Sequence, residues 1–192
     1  LRWHPAIRKV VDLVRAGEIG QVRHIGMRWT FHRTSTEDWR SNPEVSRWWS
    51  LSGVGAHCID LMWLFASELG LTRASFTAST LRGVLGGGNE ETTAITATFE
   101  EGVSALILSS VLFPAPSELV IFGEDGHLSA VGVLGRANIG ELTLNGRPVP
   151  YVFHNPYVRQ LEGFCDTVLS GSSYPVSGEV GLKVLADLDS IM

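Results

Sequence analysis

Lysine is nearly missing from this sequence of 192 residues, which has only Lys9 and Lys183, and cysteine is as scarce, with Cys58 and Cys165 lying 107 positions apart (165 minus 58). Two distant thiols exclude a disulfide framework and a thiolate zinc site, and a reducing, cytoplasmic setting is the expectation. The longest apolar runs, LMWLFA at 61–66 and VSALILSSVLF at 103–113, fall short of the ~20 residues that cross a bilayer. No apolar signal region follows Leu1. There is no basic run either. The 15 basic residues are scattered among 20 acidic ones for a net charge of -5, so nothing would track a phosphate backbone and nucleic acid is not an expected partner. A complete Gly-x-Gly-x-x-Gly fingerprint is also absent. Gly53 and Gly55 begin one, but the third position is Cys58 and the preceding RWWSLS is a poor parallel strand. GVLGGG at 83–88 fails in the same way, so neither stretch is expected to hold a nucleotide phosphate.

What is present suits one folded domain: 44% of residues are hydrophobic and 18% charged. Pro5 opens a helical pattern with Ile7, Val10, Val11 and Val14 on one side, stopped by Gly17 and Gly20. Val22, Ile25, Met27, Trp29 and Phe31 largely alternate with polar residues, as in a half-buried strand. Ser52 is placed to cap a helix with Val54, Cys58, Leu61, Met62 and Phe65 as its apolar stripe, ending near Gly70. Strand-like segments follow at 74–80, 92–99, 103–113, 119–122 and 128–133, with turn signals EEG and GEDG between them. Two more helices are expected, one from Pro156 to Gly171 with Val158, Leu161, Phe164, Cys165 and Val168 on one side, and one after Ser177. The order predicts an α+β domain spanning 1–192: an open-faced, mostly antiparallel sheet, read as a meander, with helices on one face. The uncovered face would carry apolar positions such as Ile95, Ala97, Leu106 and Leu108, so a homo-oligomer through that face is expected.

On a helix starting near Gly53, His57 and Asp60 lie on neighbouring turns, close enough for one to orient the other. A first-turn position disfavours imidazolium, and a neutral ring can accept a hydroxyl proton as hydride leaves the adjacent carbon. The same spacing suits a satisfied, partly buried structural histidine, which spacing alone favours because helix geometry makes such pairs common, without settling the choice. In the loop before it, Trp39, Arg40, Trp48 and Trp49 would suit a polar, carbohydrate-like substrate, whose C–H faces pack on rings. They would also suit a loop anchor or an oligomer interface. His154 and Tyr157 could line the same cleft, although Asn155 before Pro156 also reads as a capping turn. His4, His24, His32 and His127 lack partners at metal-ligand spacing, and no metal site is expected.

Three stretches resemble the Gfo/Idh/MocA oxidoreductases: LRWHPAIRKVVDLVRAGEIGQVRHI, GVGAHCIDL and PVSGEVGLKVL. The resemblance runs in order along essentially the whole chain. It implies the C-terminal, substrate-binding and oligomerising domain of an NAD- or NADP-dependent dehydrogenase or reductase acting on a sugar- or polyol-like hydroxyl. It also implies a separate N-terminal Rossmann domain that binds the cofactor, with a Glu-Lys-Pro motif, neither of which has a counterpart in this chain. Within the resemblance His57 takes the place of the catalytic histidine and Asp60 that of its catalytic partner. The substrate-side candidates are Trp39, Arg40, Trp49, His154 and Tyr157. Gly53 stands where the family has an aspartate, which leaves a non-catalytic binding or assembly module as the alternative.

Overall fold

The computed structural model describes residues 1–135 and 139–191. Its elements are α1 (Pro5–Arg15), β1 (Val22–Thr30), α2 (Ala56–Glu68), β2 (Ala74–Arg82), β3 (Glu90–Phe99), β4 (Ser104–Ser110), β5 (Glu118–Gly123), β6 (His127–Val131), β7 (Glu141–Leu144), β8 (Arg147–Pro148), α3 (Pro156–Ser170) and α4 (Gly178–Ile191). A 3-10 turn (Trp39–Ser41) and a π-helical turn (Leu51–Gly55) lie between β1 and α2.

All eight strands form one open sheet in the order β2-β3-β4-β1-β5-β6-β7-β8. The α+β class stands; the simple meander does not. β1 lies between β4 and β5, antiparallel to β5 but parallel to β4. The short turns at 100–103 and 124–126 do close hairpins. Residues 111–117, which contain Pro114 and Pro116, instead carry the chain from β4 across the end of β1 to β5. The sequence reading also passed over β7 and β8. Their turn carries a clear signal: Asn145 (φ 52°) and Gly146 (φ 75°) both take the left-handed conformation that a two-residue hairpin requires.

One sheet face carries Ile25 and Met27 of β1, Ile95, Ala97 and Phe99 of β3, Ala105 and Ile107 of β4, and Leu119 and Ile121 of β5, all buried. Against it lies α2, which is buried along most of its circumference through Cys58, Ile59, Leu61, Met62, Trp63, Leu64, Phe65 and Ala66. Such a helix needs cover on several sides, and α1 and α4 pack against it. α1 is capped by the buried His4, whose Nδ1 accepts from the Ala6 N–H at 3.2 Å.

Pairing corrects part of the expected outer face. Ile95 is opposite Ile107 and Ala97 opposite Ala105, so both point to the helices. Their neighbours Ala94, Thr96 and Thr98 share the open face with Leu106 and Leu108. That face also carries exposed Phe122 and the Arg28–Glu118 ion pair at 3.1 Å.

Candidate active site

The chain from Trp48 to His57 is fixed by a buried carboxylate on a neighbouring strand. Glu90, at the start of β3 and fully buried, accepts from the Trp49 N–H (2.9 Å), the Leu51 N–H (2.8 Å) and the Ser50 hydroxyl (3.2 Å). Those backbone donors belong to the opening turn of the helical segment and would otherwise be unpaired. Burial pushes the Glu90 carboxyl above its ordinary range, and the hydrogen bonds from Leu51, Trp49 and Ser50 pull it back. Ser52, expected as the cap, instead donates back to the Trp48 carbonyl at 2.6 Å. The helical segment therefore begins earlier than its glycines suggest. His57 sits beyond its first turn, where the helix dipole has weakened. Gly55 permits close seating on the sheet, since a Cβ there would stand 2.8 Å from the Leu51 side chain and 3.2 Å from the Ser109 hydroxyl.

The His57 ring stacks on Trp29 of β1, with centroids 5.5 Å apart and planes inclined by 29°. Burial holds its imidazole below the ordinary histidine value, and the Asp60 charge opposes this. The ring is thus a neutral acceptor at physiological pH, through desolvation more than through the helix terminus. Asp60 is held by Arg2, whose Nε donates to both carboxylate oxygens at 3.0 and 2.9 Å and whose Nη2 donates to the Asp60 carbonyl at 3.1 Å. Among the described residues no hydrogen bond joins it to His57, so it acts on the ring through its charge. Cys58 is no partner for His57. Burial pushes its thiol up to about 12, leaving it a core side chain.

His57, Trp29, Arg40, Gly53 and Tyr157 line a single cleft of about 450 Å³. Trp3 and Gln160 contribute further walls. Trp3 stacks toward Tyr174 at 6.4 Å and lies so close to α3 that a Cβ on Gly163 would fall 2.6 Å from its ring. Of the sequence candidates, the cleft gathers His57, Arg40 and Tyr157. Asp60 lines an adjoining apolar groove that His57 shares. Three others lie elsewhere. Trp49 is fully buried and packs below the loop, so no ligand reaches it. Trp39 is exposed outside the cleft and carries the Arg40 guanidinium on its ring at 4.2 Å. His154 opens onto grooves beside Arg159.

The sequence reading missed Trp29 as a site residue, although its alternation with Ile25 and Met27 put it on the helix-covered face. It also missed Asn89, whose buried side-chain amide donates to the Arg40 carbonyl (2.8 Å) and the Ser46 carbonyl (2.7 Å), tying the loop to β3. Among the described residues, no cluster of three or more acidic, histidine or cysteine side chains could hold a metal ion. A dinucleotide pyrophosphate does not fit here either, because the Glu90 carboxylate already occupies the amide end beside Gly53 and Gly55. No helix among the described residues is long and apolar enough to cross a membrane.

A family model described as the GFO/IDH/MocA C-terminal domain matches residues 7–129. No curated protein sequence matches the chain. Among solved structures, aldose-aldose oxidoreductase from Caulobacter crescentus, complexed with glycerol, superposes with a TM-score of 0.81 at 22% identity, over 98% of this chain and 58% of that one. The 3-ketoreductase KijD10 from Actinomadura kijaniata, in complex with NADP and TDP-benzene, does so with a TM-score of 0.78 at 18% identity, over 96% and 57%. UDP-N-acetylglucosamine 3-dehydrogenase GnnA from Acidithiobacillus ferrooxidans gives 0.75 at 17% identity, over 99% and 57%. The chain therefore spans less than two thirds of each of these three solved chains.

Proposed function

Because the chain belongs to the GFO/IDH/MocA C-terminal domain family, we propose that it is the substrate-binding part of an NAD(P)-dependent oxidoreductase acting by hydride transfer on a sugar- or polyol-like hydroxyl or carbonyl. The observation that carries this reading is the neutral His57, stacked on Trp29, at the wall of a cleft large enough for a sugar ring. His57 accepts the hydroxyl proton in oxidation and returns it in reduction. The Trp29 face and Tyr157 pack against C–H surfaces and hydroxyls of the substrate. Asp60, fixed by Arg2, is a positioning residue whose negative charge favours the protonated ring after transfer.

A separate nucleotide-binding domain would hold the cofactor. Its docking surface in this reading is the apolar side of α3 and α4, where Leu161, Phe164, Val168 and Leu185 stand exposed. NAD(H) and NADP(H) should therefore give no calorimetric signal of binding with this chain, while the full-length protein binds one of them. Micromolar binding to the chain alone would overturn the division of labour.

The open sheet face, with Leu106, Leu108 and Phe122 among threonines, is the surface proposed for self-association into a homo-oligomer. Light scattering should then give a mass above that of one chain at low micromolar concentration, and a stable monomer would contradict it. The non-catalytic alternative draws on Gly53, since no carboxylate among the described residues lines the cleft. Measured turnover decides between the two readings.

A further inference from the structure

We infer that the cleft selects a substrate carrying an oxyanion, a sugar acid or a sugar phosphate, and that Arg40 is the residue that selects it. This rests on the reading of the cleft as a sugar site. Among the described residues no carboxylate lines the cleft, where the ionisable side chains are Arg40, the neutral His57 and the Tyr157 phenol. The nearby acidic groups are committed elsewhere. Asp60 is engaged by Arg2 at 2.9 Å. Asp38 accepts from the Arg40 backbone N–H at 3.1 Å and stands 3.6 Å from Arg33, so one carboxylate serves two guanidinium groups.

Arg40 itself is short of acceptors. A guanidinium presents five N–H donors, yet Nη1 reaches Asp38 only at 3.4 Å and the buried Nε has no partner among the described residues. Its guanidinium is spread on the Trp39 ring at 4.2 Å and its backbone is tied by Asn89, so the fork is held at the cleft wall. Charge-assisted hydrogen bonds from a preplaced guanidinium to carboxylate or phosphate oxygens are the strong and geometrically selective kind. Gly53 completes the device. A Cβ there would meet only Phe31, at 3.4 Å, so the fold accommodates a side chain, and the glycine keeps negative charge out of the cleft rather than relieving a clash.

Calorimetric titration of the full-length protein with D-glucose, D-glucuronate and D-glucose 6-phosphate tests this. At least one of the two anions should bind about tenfold or more tighter than glucose, which charge-assisted hydrogen bonds to an arginine supply. Glucuronate and the phosphate distinguish the two oxyanions. Arg40→Gln should bring the three sugars within about twofold of one another, and Arg40→Lys should keep part of the preference. Gly53→Asp should abolish the preference by repulsion with the loop and Arg40 left in place, and it serves as the second variant should Arg40→Gln disturb the loop. Equal affinity for glucose and both anions in the wild type, or a preference that survives Arg40→Gln, overturns the proposal. Binding needs no hydride transfer. A protein that prefers anions but reduces no nicotinamide keeps the selectivity and loses the oxidoreductase reading; one that oxidises neutral polyols without preferring anions does the reverse.

Discussion

Replacing His57 by alanine in the full-length protein should lower turnover by roughly 100-fold or more while leaving cofactor affinity nearly unchanged, as loss of a general base does. The side chain is positioned for this by packing: Trp29 lies under the ring, α2 carries it, and burial keeps it neutral. The sign of the pH dependence follows. With the imidazole held below its ordinary value, the base form persists through neutrality, and oxidation should lose rate only as pH falls below the ordinary imidazole value. Asp60 opposes that depression, so Asp60→Asn should move the acid limb of the profile to still lower pH and cost less turnover than His57→Ala. A folded His57→Ala protein with near-normal turnover would make this histidine a structural one.

Glu90→Ala should destabilise the fold by roughly 3 kcal/mol, since it strands two buried backbone N–H groups and a buried hydroxyl at once. Because those donors begin the segment that carries Gly53 and His57, surviving folded protein should also bind substrate poorly. Glu90→Gln keeps one acceptor and should cost less. The folded carboxyl is raised above its unfolded value. Its contribution to stability is therefore complete below the unfolded value and is lost as pH rises through the folded one. Denaturant melts across that range should show the wild type losing stability as pH rises from the ordinary glutamate range, a component missing from Glu90→Gln. Identical slopes would mean that the carboxylate is as well solvated by its hydrogen bonds as by water.

Local rules carried the reading of the sequence far. Pro5, Pro156, Gly17 and Gly171 bound α1 and α3 because proline and glycine act on their own turn. Alternation found most of β1 and β3 because side-chain direction is set residue by residue. The central place of β1 was not legible, since it depends on pairing between segments that the chain order keeps far apart. The site divides in the same way. His57 and Arg40 stood out by chemistry, and Tyr157 by its place at a helix start. Trp49 and Trp39 have the same chemistry, but one is consumed by the core and the other faces away. Glu90 and Asn89 support the cleft from another strand, and nothing in the run GGGNEETT marks their side chains as buried partners of a loop some forty residues earlier.

Transfer of label tests the oxidoreductase reading most directly. Full-length protein would be incubated with NAD or NADP and a panel of polyols and sugars, neutral and anionic, deuterated at the carbons bearing hydroxyl groups, and the recovered nicotinamide examined by NMR. The expected result is one deuterium on the reduced nicotinamide ring, with the rate collapsing in His57→Ala. Cofactor bound by the wild-type protein but never labelled by any substrate in the panel would contradict it, and would leave this cleft as a binding site without redox chemistry.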